Sequence, residues 1–122
     1  MSELNFVLPF TLESLNVRDR KIHWVRSRDK KNLNLEVVAA IGGPRYFPRP
    51  PWERVRVTVV RCSSGRLDRD NLYASFKSLG DVLVQLKIVV DDTSDRLDLV
   101  MKQSSAAPGK GSTVVKIERV GG

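Results

Sequence analysis

At 122 residues, with 41% hydrophobic and 29% charged side chains, the chain has the composition of one ordinary globular domain spanning residues 1–122, which excludes a disordered tract. Its one cysteine, Cys62, excludes an internal disulfide framework, and its one histidine, His23, excludes a metal site built from several histidines. The 21 basic residues exceed the 14 acidic ones for a net charge of +7, which suits a polyanionic partner because each neutralised phosphate releases a condensed counterion.

In chain order, Leu4 to Phe10 is a short apolar run broken by Pro9 and reads as a first strand. Asn16 to Lys31 is strongly basic. From Trp24 to Ile41 the spacing predicts a helix, with Trp24, Lys31, Leu35 and Val38 on one face, stopped by Gly42-Gly43-Pro44. Gly42 to Pro51 holds four of the six prolines and reads as a loop; Phe47 within it and Trp52 just after it, with Arg45 and Arg49, suit either a wedge into unpaired bases or packing over a dimer interface. Arg54 to Arg61 alternates, with Val55, Val57 and Val59 on the side opposite Arg54, Arg56 and Thr58, as in a half-buried strand.

Leu72, Phe76, Leu79, Leu83 and Leu86 recur at helical spacing, with Asp70 and Asn71 where an N-cap belongs. Lys87 to Val90, Leu97 to Lys102 and Thr113 to Val120 read as strands, the last two separated by the loop Ser104 to Ser112 that carries Lys110. This order predicts an α+β fold, a single domain with a small mixed or antiparallel sheet and two main helices. No basic-then-apolar stretch reads as a signal peptide, and no apolar run approaches the ~20 residues of a membrane span. A cytoplasmic protein with no membrane partner is therefore expected.

The acidic residues are unevenly spread. Residues 1–61 carry 12 basic and 6 acidic side chains, whereas residues 62–122 carry 9 and 8. Within the later half, Asp68-Arg69-Asp70-Asn71-Leu72 puts two carboxylates at a strand-to-helix junction, and Asp91-Asp92 adds two more. Magnesium takes hard oxygen ligands, commonly one or two carboxylates with water and substrate phosphate. Two such ions ~4 Å apart suit hydrolysis of a phosphodiester. Each piece also has an ordinary reading: Asp70 as a helix cap, Asp91-Asp92 as a solvated turn.

From Leu67 to Asp92 the chain resembles the RusA-like Holliday-junction resolvases, small endonucleases typical of phages and prophages. The resemblance rests on Asp68-Arg69-Asp70-Asn71-Leu72, then Lys77-Ser78-Leu79-Gly80-Asp81-Val82-Leu83, then Val90-Asp91-Asp92. Ser14-Leu15-Asn16, His23-Trp24 and the glycine-containing loop before the last strand are looser echoes. The resemblance implies a magnesium-dependent crossover junction endodeoxyribonuclease, with manganese as a substitute, acting as a homodimer in DNA recombination and repair. It assigns metal binding to Asp68, Asp70 and Asp92, with Asp91 beside them. It makes Lys77 the positive charge at the transition state. In the best-known form that lysine follows the second aspartate by four residues. Here it follows by seven, and Ala74 holds the nearer position.

Arg26, Arg28, Lys30 and Lys31 on the first helix, Arg54 and Arg56 on the strand, Arg69 and Lys110 are the candidate DNA contacts. Two rival readings stay open: a DNA-binding protein of the same fold without turnover, which the displaced lysine favours, and an RNA-binding protein, which leaves the aspartates unexplained. Magnesium-dependent strand scission separates the first reading from both.

Overall fold

Residues 2–13 and 23–121 are described by the computed structural model, and in the first helix the side chains of Asp29 and of Lys31 onward. Ser14 to Ile22, with seven residues of the basic Asn16 to Lys31 stretch, lie outside the described residues, as do the side chains of His23, Trp24, Arg26, Arg28 and Lys30.

Alternating apolar residues build the sheet. The elements run β1 (Glu3–Leu8), α1 (His23–Ile41), a 3-10 turn (Pro44–Tyr46), β2 (Val55–Ser63), α2 (Arg69–Ala74), α3 (Lys77–Gln85), β3 (Leu97–Ser105) and β4 (Ser112–Arg119). Strand order is β1-β4-β2-β3. β2 and β3 are parallel, with Val55 opposite Leu97 and Val59 opposite Met101, while β4 runs antiparallel to both β1 and β2. The sheet is therefore mixed, and the expected α+β fold is the one the chain adopts.

Leu4, Phe6 and Leu8 of β1, Val55, Val57 and Val59 of β2, and Val115 and Ile117 of β4 bury one face. Period-two alternation puts their neighbours Val7, Arg56 and Val114 on the other, which is exposed. The helices cover the buried face: Leu33 and Val37 of α1 and Leu79, Val82 and Leu83 of α3 join the same core. Each fully buried aliphatic side chain contributes about 1.5–3 kcal/mol relative to exposure.

Four local expectations are corrected. The inward face of α1 is set by Leu33 and Val37, whereas Leu35 is 69% exposed and Lys31 is exposed. Apolar residues occur all around this helix, so packing on β1 and α3 decides the face rather than periodicity. The second helix is two segments. Ser75 (φ −64°, ψ −19°) and Phe76 (φ −72°, ψ −20°) keep helical handedness, and the Ser75 hydroxyl donates to the Leu72 carbonyl at 2.6 Å, a back-bond that competes with the regular ladder. Its N-cap is Asp68, with Asp70 in the first turn. Lys87 to Val90 forms only a bridge, Trp52 pairing with Val89.

Both helix ends are closed by left-handed residues. Gly42 (φ 103°) and Gly43 (φ 109°) end α1, and the Gly43 amide donates to the Val38 carbonyl at 3.0 Å. After α3 the same part is played by Lys87 at φ 60°, with the Ile88 amide donating to Leu83 at 3.0 Å. Among the described residues no helix is long and apolar enough to cross a membrane.

Candidate active site

The Asp-x-Asp motif begins where the chain leaves β2 and turns into α2. Its backbone is pinned from β3: the Gln103 side chain donates to the Leu67 carbonyl at 2.9 Å and accepts the Leu67 amide at 2.8 Å. A second tie lies on the same side of β3, where the Met101 amide donates to the Tyr73 hydroxyl at 3.4 Å. Together these fix the start and the far end of α2 against the edge strand.

Asp68 and Asp70 are both exposed. Asp68 accepts a short hydrogen bond from the Asn71 side-chain amide. That bond, reinforced by backbone amides at the start of α2, holds the Asp68 carboxyl below its ordinary range. Arg69, between the two carboxylates in sequence, lies over the Tyr73 ring at 5.4 Å, a contact that draws its guanidinium along α2.

The second carboxylate pair follows the Trp52–Val89 bridge. The Val90 amide donates to the Trp52 carbonyl at 3.0 Å, which sets the direction in which Asp91 and Asp92 leave. Asp91 accepts the Asp92 amide on its own carboxylate at 2.8 Å. Asp92 is half-buried against α3 beside Gly80. A Cβ at Gly80 would sit 3.1 Å from Asp92 Oδ2 and 2.9 Å from Phe76 Cε2. The missing side chain is what lets the carboxylate lie on the helix. Lys77 opens that helix and is exposed, one turn before Gly80.

The four aspartates thus fall into two pairs, one at the head of α2 and one ending on α3. Among the described residues no three His, Cys, Asp or Glu side chains form a group able to hold a metal ion. The chemistry of the donors still suits magnesium, whose usual protein share is one or two carboxylates, the remaining positions going to water and phosphate. Asp68 and Asp70, or Asp91 and Asp92, can each provide that share.

The candidate phosphate contacts are scattered. Lys31, Arg54 and Lys110 are exposed; the Lys110 amide closes a turn on Ala107 at 3.0 Å. Arg56 projects from the open face of the sheet and is engaged by Asp98 at 3.0 Å. The side chains of Arg26, Arg28 and Lys30 lie outside the described residues. Trp52 is 5% exposed and belongs to the core, so it offers no stacking face, whereas Phe47 is half-buried.

Three residues gain importance only from the structure. Gln103 carried no sequence signal, since its partner is backbone. Gly80 was visible as a lone glycine inside a strong helical stripe, which is how a close approach announces itself. Arg61 shares the inward parity of Val55, Val57 and Val59, and it is indeed buried, with Nε donating to the Leu12 carbonyl at 3.2 Å and an Nη to the Gly65 carbonyl at 3.1 Å. Desolvation lowers its pKa, but an arginine so held stays charged. It staples the segment after β1 to the turn that leads into Asp68. No protein-family model matches this sequence, and no curated protein matches it.

Proposed function

We propose that this protein is a magnesium-dependent, structure-selective endodeoxyribonuclease of the RusA-like kind, cutting four-way junctions or other branched DNA as a cytoplasmic homodimer in recombination and repair. The observation that supports it most is the seating of the Asp92 carboxylate on Gly80. A glycine at that position serves no helical purpose, costing about 1 kcal/mol against alanine. It makes sense where a carboxylate must lie on the turn that Lys77 opens.

In this reading Asp68, Asp70, Asp91 and Asp92 hold magnesium or manganese, which when bound activates water and neutralises charge on the scissile phosphate. Asp68, whose carboxyl the Asn71 side-chain amide holds below its ordinary range, is one of these ligands. Lys77 supplies positive charge to the leaving oxygen. Lys31, Arg54, Arg69 and Lys110, with Arg26, Arg28, Lys30 and Arg56, meet backbone phosphates, which position DNA without reading sequence. Two copies related by a two-fold axis match the pseudo-symmetry of a four-way junction.

A second reading is a DNA-binding protein of this fold without turnover. The position of Lys77, seven residues after Asp70 with Ala74 at the nearer place, favours it. The two separate on one assay: a labelled four-way junction and its linear duplex, incubated with magnesium, manganese or EDTA. Metal-dependent paired nicks on the junction support the nuclease; tight binding without scission in either metal supports the alternative.

A further inference from the structure

A cavity of about 700 Å³ opens where the proline-rich loop meets the start of β2 and the end of β4. That size falls in the ~300–1,000 Å³ range of pockets that hold small organic groups. Phe47, Pro50, Val90 and Val120 give it apolar walls, and Arg49, Arg54 and Arg119 stand around it against one carboxylate, Glu53. The three arginines are exposed. None of them forms an ion pair among the described residues, in contrast to Arg56 and Lys116, which do. The frame is rigid: the Val120 amide donates to the Arg54 carbonyl at 2.9 Å, and Trp52 is bonded on both sides to Ile88 and Val90 at 3.0 Å.

Three guanidiniums without an ion pair among the described residues, set around apolar walls, suit an anion carrying a flat apolar body. We propose that this cavity binds an unpaired nucleotide of single-stranded DNA, with the phosphates on Arg49, Arg54 and Arg119 and the base against Phe47 and Val120. Guanidinium forks match phosphate geometry, and every base presents a face that aromatic and apolar side chains accept without regard to sequence. Base-paired DNA offers the phosphates but keeps its bases stacked, so the cavity favours strands with unpaired nucleotides. Val90 lines the cavity and Asp91 follows it directly in the chain, which puts the cavity next to the second carboxylate pair in sequence. The inference rests on the DNA-binding part of the proposed function and not on cleavage.

Fluorescence anisotropy with a short labelled oligothymidylate and with a duplex of equal length, both in EDTA, tests it. Val120 and Val114 are exposed to similar extents, 43% and 39%, but only Val120 lines the cavity. Val120→Glu is expected to weaken oligothymidylate binding about tenfold, whereas Val114→Glu, which adds the same charge to the open face of the sheet, changes it less than about twofold. Arg54→Ala with Arg119→Ala is expected to exceed the loss from Lys102→Ala with Lys116→Ala. A base-free backbone of the same length should bind the wild type about tenfold more weakly than oligothymidylate. Equal losses from the cavity and open-face variants, or equal affinity for the base-free strand, would overturn the proposal while leaving DNA binding intact. No binding to either DNA would overturn the proposed function as well.

Discussion

Gln103 and Leu67 are joined by two hydrogen bonds that reproduce a strand pairing: the side-chain amide of one takes both backbone groups of the other, at 2.8 and 2.9 Å. Leu67 is the last residue before Asp68, so this contact sets the entry of the Asp-x-Asp motif. Gln103→Leu removes both bonds and leaves two backbone groups without a partner. The expected loss is about 1–3 kcal/mol in urea unfolding, with cleavage reduced at least about tenfold in protein that remains folded. Gln103→Glu, which keeps the acceptor and loses the donor, should fall between. Wild-type activity in folded Gln103→Leu would remove Gln103 from the account of the site.

Gly80 gives a sharper test, because helix propensity and the site pull in opposite directions. Alanine gains about 1 kcal/mol in a helix interior. Its Cβ, however, would meet Phe76 Cε2 at 2.9 Å and Asp92 Oδ2 at 3.1 Å, and overpacking costs about 1–3 kcal/mol. The expected outcome for Gly80→Ala is near-neutral or modestly lowered stability by thermal melting, with cleavage lowered at least about tenfold as Asp92 is pushed off the helix. Unchanged cleavage would show that the seat of Asp92 does not matter.

Lys87 sits at φ 60°, a conformation that costs a side chain about 1–2 kcal/mol and a glycine almost nothing. Lys87→Gly is therefore expected to raise stability by about 1 kcal/mol in a urea melt. Since the residue lies past the end of α3, DNA cleavage should not change. A destabilised Lys87→Gly protein would mean that the lysine side chain contributes more than its backbone costs.

The Asn71–Asp68 bond predicts a pH signature. Asp68 has a depressed native pKa, so its contribution to stability is complete above the unfolded value of 3.8 and disappears as pH falls through the lower native value. In Asn71→Ala the native value should return toward 3.8, erasing that difference. Carbon NMR titration of the Asp68 carboxyl reads it directly; an unshifted titration in the variant would assign the depression to the backbone amides instead.

Most of the fold could be read from alternation. Leu4 to Leu8, Val55 to Arg61 and Thr113 to Val120 show period two, and they form three of the four strands. The helical stripe from Leu72 to Leu86 was equally legible, because its apolar positions all face one sheet. The break at Ser75 was not, since it depends on a hydroxyl turning back to its own helix. Nor was the face of α1, where Leu35 and Leu33 look alike in sequence and only packing chooses between them. For the candidate site, the carboxylates were legible as residue types at a junction. The seat of Asp92 on Gly80, the Gln103 clamp and the cavity beside Val90 depend on contacts between residues far apart in the chain, which spacing does not encode.

Carboxylate-dependent cleavage is read most directly with Asp70→Asn on a labelled four-way junction in magnesium, with binding and scission followed in the same samples. Scission is expected to be abolished while binding is kept or tightened, because a negative charge beside phosphate is removed and the fold is untouched at an exposed position. Scission at the wild-type rate by the folded variant would contradict carboxylate-dependent cleavage.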